Sequence, residues 1–295
     1  MRNNENRISI DDTNAEPEVS TPSIPKQPHQ VQQQSANPLL NFVSPTEFVE
    51  LPSRGKFYPA DHPLRDATVI EIKHMTAKEE DILTSIALLK QGKTMDRFLR
   101  QIIIDKKINP ITLLIGDKNA ILVAARKSGY GAKYDTEIIC PECRQKSNFE
   151  FDLSNPAISK EFVEEEHDNI AVTERGTFIV NLPTTNWSVE VKLLTGADEK
   201  RLAEDTEARR KSNHPEETLT MQISSFITSI SGVTNRAHIN EAISNMPASD
   251  SRILSTAYQQ IVPNIDIAQT FHCSGCGHSD KMEVPFTTDF FWPQQ

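Results

Sequence analysis

The chain has 295 residues, 37% of them hydrophobic, enough for one large domain or two ordinary ones with a sizeable core. A formal net charge of −10 leaves no basic footprint for a nucleic-acid backbone, and no apolar run approaches the roughly 18 residues of a membrane span, so neither nucleic-acid binding nor stable membrane insertion is expected. The polar start, from Met1 to Arg7, is not a secretory signal, which predicts folding in a reducing cytosol, where four cysteines read as a metal site sooner than as two disulfides.

Residues 1–44 contain no Cys, Trp, Tyr or Gly and a single Phe, and include polar runs such as Gln30-Val-Gln-Gln-Gln-Ser35. They bury too little apolar area to offset chain entropy, which predicts a disordered amino-terminal arm. Residues 45–133 read as an extended ribbon followed by a helical cluster. Along 48–59 turn formers alternate with Phe48, Leu51, Phe57 and Tyr58, and Gly55 relieves a turn; this suits a ribbon packed on the protein's own surface, with a docking segment for a neighbouring subunit as the alternative. A short strand is expected over 68–73. A capping box at Thr76 and Glu79 then opens a helix whose apolar face is Ile82, Leu83, Ile86, Leu88 and Leu89, ended by Gly92. A second helix over 95–104 turns Phe98, Leu99, Ile102 and Ile103 inward, and Asp117 is the expected cap of a third, which carries Ile121, Leu122 and Ala125.

From residue 134 the pattern changes to strands. Residues 134–139 and 147–153 flank Cys140 and Cys143, and the acidic run 161–168 follows as a solvated loop or helix face. Residues 177–182 and 187–194 form a hairpin about Pro183-Thr-Thr-Asn186. Thr195 and Asp198 repeat the capping device with Asp in place of Glu, and the charge-rich stretch 204–217, with few apolar anchors, reads as a mobile loop or helix extension. Helices are expected over 221–230, 239–246 and 253–261, the last broken by Pro263, before residues 265–272 lead into Cys273 and Cys276. The predicted fold class is α+β. A zinc-ribbon-like β module, 134–194 and 262–295, is closed by two distant Cys-x-x-Cys knuckles, and helical lobes include the insertion 195–261.

Each cysteine pair follows a strand, spans a two-residue turn and leads into alternating apolar residues, the form of a zinc knuckle. Structural zinc takes four ligands, and Cys140, Cys143, Cys273 and Cys276 supply that count with nothing left over. The reading is one structural Zn(2+); two separate or dimer-bridged sites, or a redox role without metal, are the alternatives. His272 and His278 lie close by, but four thiolates already complete the shell. A closed shell leaves no position for water or substrate, so it supplies stability and not chemistry, and the long insertion is tolerated because loop-closure cost grows slowly with length.

No catalytic pattern emerges elsewhere. Gln91-Gly-Lys-Thr94 resembles the tail of a phosphate-binding loop but lacks the preceding glycine-rich turn. Lys73 and His74, and Asp61 with His62, stand without a paired nucleophile, and nothing in their spacing requires Asp117, Asp135 and Glu137 to converge. The protein is therefore read as a non-enzyme. Phe286, Phe290, Phe291 and Trp292 crowd the carboxyl end, as core packing or else as an interface anchor.

Taken together, Leu51-Pro-Ser-Arg-Gly-Lys-Phe-Tyr-Pro59, the helix start at Thr76 to Asp81, the run from Leu114 to Arg126, Gly129 to Tyr134 and Cys140-Pro-Glu-Cys143 resemble the zinc-containing baseplate proteins of contractile-tail, T4-like bacteriophages, the family of the baseplate hub protein. Leu193 to Asp198 and the second knuckle resemble it more weakly; the arm before residue 45 has no counterpart. The resemblance implies a structural component of the viral tail baseplate, contributing to its assembly, made in the host cytoplasm and carried in the virion. Its partners would be other hub or wedge subunits, and the four cysteines match the family's metal residues. The alternatives are a transient assembly factor absent from the virion, and a zinc-ribbon adaptor protein or enzyme.

Overall fold

The computed structural model describes residues 44–158, 169–212, 218–285 and 288–291; the arm expected over 1–44, apart from Ser44, lies outside them, as do the acidic run 161–168, residues 213–217, Phe286 and Trp292. Strands β1 (Thr46–Glu50) and β2 (Val69–Lys73) pair antiparallel with Val49 opposite Ile70, and residues 51–67 between them form a succession of turns. Gly55 has φ +70°, and a Cβ there would come within 2.4 Å of the Ala67 nitrogen, so both conformation and space demand glycine.

Thr76 caps α1 (Ala77–Thr84), with Glu79 accepting from the Thr76 N–H at 3.0 Å. The helix expected to continue to Gly92 instead breaks at Ser85, which is extended (φ −65°, ψ 103°), and resumes as α2 (Ile86–Lys90). Thr84 turns its hydroxyl back to the Glu80 carbonyl at 2.9 Å, and such side chains compete with the helix ladder. The break shifts the helical phase, so Leu83 is buried while Ile86 and Leu89 remain 68% and 38% exposed, contrary to the single apolar face expected. In α3 (Thr94–Ile102) Phe98, Leu99 and Ile102 face inward as expected, and Lys106 Nζ donates to the carbonyls of Arg100, Gln101 and Ile103 at the carboxyl end.

The long helix α4 (Ile115–Tyr130) buries Ile121, Leu122, Val123 and Ala125. Its cap is Leu114, not Asp117. Asp117 is fully buried in the first turn and accepts from the Ser53 N–H at 3.0 Å, Ser53 Oγ at 2.6 Å and Tyr58 Oη at 2.8 Å. The ribbon covers the start of α4, so this carboxylate satisfies donors of the ribbon. Burial pushes its pKa up, against the lowering effect of the Ser53 and Tyr58 hydrogen bonds.

Beyond α4 the chain forms the hairpin β3 (Lys133–Ile139) and β4 (Lys146–Asp152), then β5 (Ala157–Ile158), β6 (Ile170–Val172), β7 (Phe178–Asn181) and β8 (Ser188–Val191). Helices α5 (Gly196–Lys211) and α6 (Thr218–Phe226) follow, so the charge-rich stretch is helical as far as Lys211. The helix expected over 221–230 ends at Phe226, and Ile227–Ile230 becomes β9, the fourth strand of an antiparallel sheet in the order β6-β7-β8-β9. Carbonyls near the end of α6 are claimed from outside: Lys192 N–H donates to Phe226 O at 2.8 Å and Arg236 Nη2 to Ser224 O at 2.7 Å. Helices α7 (Arg236–Ser244) and α8 (Ala248–Ile261) complete the helical region before β10 (Ile265–Asp266), β11 (Gln269–His272) and β12 (Ser279–Met282). The architecture is mixed α and β, with small antiparallel sheets among the described residues.

The two helices opened by a capping box share one chemistry. Lys73 bonds Glu79 at 2.7 Å ahead of α1, and Lys192 bonds Asp198 at 2.7 Å ahead of α5, so a strand-end lysine, a capping threonine and an N3 carboxylate recur at identical spacing.

Candidate metal centre

The two cysteine turns are built alike. In the first, Cys140 N–H donates to Gln145 O at 2.9 Å and Arg144 N–H returns to Cys140 O at 2.9 Å; in the second, Cys273 N–H donates to His278 O at 2.8 Å and Gly277 N–H to Cys273 O at 3.0 Å. The residue after the second cysteine is left-handed in both, Arg144 at φ +58° and Gly277 at φ +73°. The first cysteine of each pair is buried and the second exposed.

What joins the turns lies behind them. β5 follows the first hairpin and pairs with β10, which precedes the second, Ile158 opposite Ile265. Gln269 grips the end of β4 through both amide atoms, accepting from Asp152 N–H at 3.0 Å and donating to Asp152 O at 2.6 Å. Phe149 and Phe271 meet edge to face at 5.7 Å. A Cβ on Gly116 would lie 1.9 Å from Pro263 O, so only glycine lets the segment leading to the second hairpin cross the start of α4 so closely. The hairpins are thus laid side by side by backbone pairing and aromatic packing, with the cysteines at their tips.

At those tips Cys140 Sγ stands 3.7 Å from Cys276 Sγ and Cys143 Sγ stands 3.6 Å from Cys273 Sγ, and all four sulfur atoms lie within 4.8 Å of one another. A tetrahedral ion with Zn–S bonds of about 2.3 Å requires sulfur atoms about 3.8 Å apart, whereas a disulfide needs about 2.05 Å. The two short spacings suit ligands of one ion and are too long for a disulfide, and the cysteines are free thiols. The N–H groups of Cys276 and Gly275 pull the Cys273 thiol down to about 6, while the His278 amide fails to offset burial and the other three thiols at Cys276, which is pushed up to about 12. At Cys276 the neighbouring thiols oppose ionisation, and a divalent cation would remove that opposition. The donor set therefore fits a zinc ion. Neither His272 nor His278 belongs to the sulfur group.

The family described as T4 bacteriophage base plate protein matches residues 44–292. The chain belongs to that family. No curated protein and no solved structure matches it. As a member of a baseplate family it is a structural protein of the phage tail, and among the described residues no helix is long and apolar enough to cross a membrane.

The remaining candidates of this baseplate protein have separate surroundings. Lys73 is paired with Glu79, and His74 lies 3.8 Å from Glu47. His62 stacks on Tyr58 at 4.3 Å and shares a 2.8 Å hydrogen bond with Thr112. Glu137 pairs with Lys146 at the hairpin surface, and Asp117 is enclosed under the ribbon, so the three carboxylates Asp117, Asp135 and Glu137 do not meet. In the Gln91 to Thr94 stretch, Gly92 is the left-handed turn between α2 and α3, with open space about it. Arg126 escaped the sequence reading. Buried in α4, it donates Nε to Phe290 O at 2.7 Å, Nη1 to Gly131 O at 2.9 Å and Nη2 to Lys133 O at 3.1 Å, fastening the chain's end and the start of β3 to the same helix. Its position four residues after Leu122, on the apolar side of α4, was the available signal. Phe290 and Phe291 are core residues, packed on Tyr134 at 5.3 Å and on Phe98 at 5.1 Å.

Proposed function

We propose that this protein is a structural subunit of the central hub of the contractile baseplate, contributes to baseplate assembly, and is braced by one Zn(2+) held by Cys140, Cys143, Cys273 and Cys276. The observation that carries the metal reading is the sulfur tetrad, whose 3.6 and 3.7 Å edges match a zinc tetrathiolate and whose members all lie within 4.8 Å of one another. When bound, the ion supplies a closed shell with no open position, which stiffens the fold and leaves catalysis without a metal-bound water. The chain's own residues orient the thiols through the two matched turns. In this reading the protein is not an enzyme, and its partners are other hub or wedge proteins of the tail. The ribbon at 51–59, the α4 segment and the first knuckle support the baseplate reading, since they carry the resemblance to the family that includes the hub protein, and the position within the baseplate is decided by the particle map.

Two measurements test this. Metal analysis of freshly purified, reduced protein is expected to give one zinc per chain; no metal, or a metal not lost when the cysteines are replaced, defeats the zinc assignment. Quantification of the protein in purified virions against the major tail subunit, with a cryo-EM map of the particle, is expected to find it at the baseplate centre. Absence from finished particles would instead make it a transient assembly factor.

A further inference from the structure

One face of the β1–β2 sheet has the composition of an interface. Register fixes which residues share it. Val49 and Ile70 are partners on the buried side, so Phe48 and its partner Glu71, and Glu50 with its partner Val69, face outward. The chain beyond α3 extends the sheet: Ile72 bridges Ile103 on the buried side, and Ile104 N–H donates to Glu71 O at 3.1 Å, which places Ile104 outward beside Glu71. A row Phe48, Glu71, Ile104 thus crosses three extended segments, with Val69 and Glu50 next to it. Phe48 is 69% exposed, Ile104 41% and Val69 40%.

Scattered exposed apolar residues need no explanation, but three on one sheet face, wrapped around carboxylates, do. The solvated β3–β4 hairpin shows the usual solution, Lys133 paired with Glu150 at 2.8 Å and Lys146 with Glu137 at 2.6 Å. Among the described residues neither Glu50 nor Glu71 makes an ion pair, although both stand beside apolar neighbours on this face. The geometry points to a docking surface for a neighbouring tail protein that presents an apolar ridge flanked by lysine or arginine, the apolar groups meeting Phe48, Val69 and Ile104 and the cations meeting Glu50 and Glu71. A different protein is favoured over a second copy of this chain, because the whole molecule carries −10 and Lys73, the lysine on the same face, is already engaged by Glu79.

This surface rests on the protein's being built into the particle, so wild-type incorporation is measured first and separately; its absence counts against the baseplate role and not against the face. In phage whose chain carries the photo-crosslinker p-benzoylphenylalanine at position 48, irradiation of purified particles is expected to join that position to another tail protein, within a peptide containing apolar residues and lysine or arginine. The double variant Phe48→Ser with Ile104→Ser, and separately Glu71→Lys, are expected to keep the wild-type melting temperature, since Phe48 and Ile104 are exposed and Glu71 is half-buried without an ion pair among the described residues, yet to enter particles at about a tenth of the wild-type level or less. Incorporation of both variants at the wild-type level overturns the proposal. So does a crosslink to this chain's own residues 1–43, to a second copy or to an acidic peptide, or no crosslink at all.

Discussion

Arg144 and Gly277 occupy equivalent places in two near-identical turns, and only one has the side chain the backbone prefers. A non-glycine residue in the left-handed region costs about 1–2 kcal/mol, while glycine gives back about 0.5–1 kcal/mol through a freer unfolded chain. Arg144→Gly is therefore expected to stabilise the protein by up to about 1 kcal/mol and Gly277→Ala to destabilise it by a similar amount, read by denaturant unfolding with zinc present. Opposite signs at both positions would show that the left-handed backbone does not govern stability at these turns. Asp117 is a second residue whose role lies in a distant partner. Asp117→Asn keeps the shape but puts an amide donor where Ser53 Oγ and Tyr58 Oη now donate, so a loss of about 1–3 kcal/mol is expected, with zinc content unchanged. Sequence marked Asp117 as a cap because it stands near a helix start. The donors that claim it come from residues 64 and 59 positions earlier, beyond the reach of any local pattern.

The helix starts at Thr76 and Thr195 were legible because a capping box is closed by residues within one turn. Their N3 carboxylates also set an acid response. At Glu79 burial alone would raise the pKa, but Lys73 and Thr76 outweigh it and hold the carboxyl below its ordinary value; at Asp198 Lys192 and Thr195 do the same. A carboxylate whose folded pKa is depressed contributes stability above its unfolded pKa of about 4, and that contribution is lost as pH falls through the lower folded value. Unfolding free energy is thus expected to decline on acidification below about pH 4, with a shallower decline in Glu79→Gln and Asp198→Asn, checked by urea unfolding as a function of pH. An unchanged acid slope in both variants would remove these pairs as its cause. Two other elements were misread. Apolar residues on both sides of Thr84-Ser85 hid the break at Ser85, and 227–230 looked helical until the remote strand β8 offered it a partner.

For the whole molecule, the proposed ion would share with the fold the work of holding two hairpins together. The β5–β10 pairing and the Gln269 to Asp152 bonds lie behind the cysteines, so chelation is expected to loosen the tips before the body. Hydrogen exchange after zinc removal should quicken first in residues 140–146 and 273–279, while α4 keeps its protection; simultaneous loss in α4 would mean that the metal holds the entire core. Cys140→Ser and Cys276→Ser should each bring zinc content near zero, and retention of zinc in both would contradict a single shared site. The count and pairing of the four cysteines, the two-residue turns that carry them, most strands and both capping boxes were legible in the sequence alone, because each is a relation among neighbours or a count of residue types. Tertiary structure decided that the two knuckles meet, that Asp117 and Arg126 serve partners far along the chain, and which apolar residues stay on the surface. Those outcomes depend on how separate segments are brought into register, and local spacing carries no record of that.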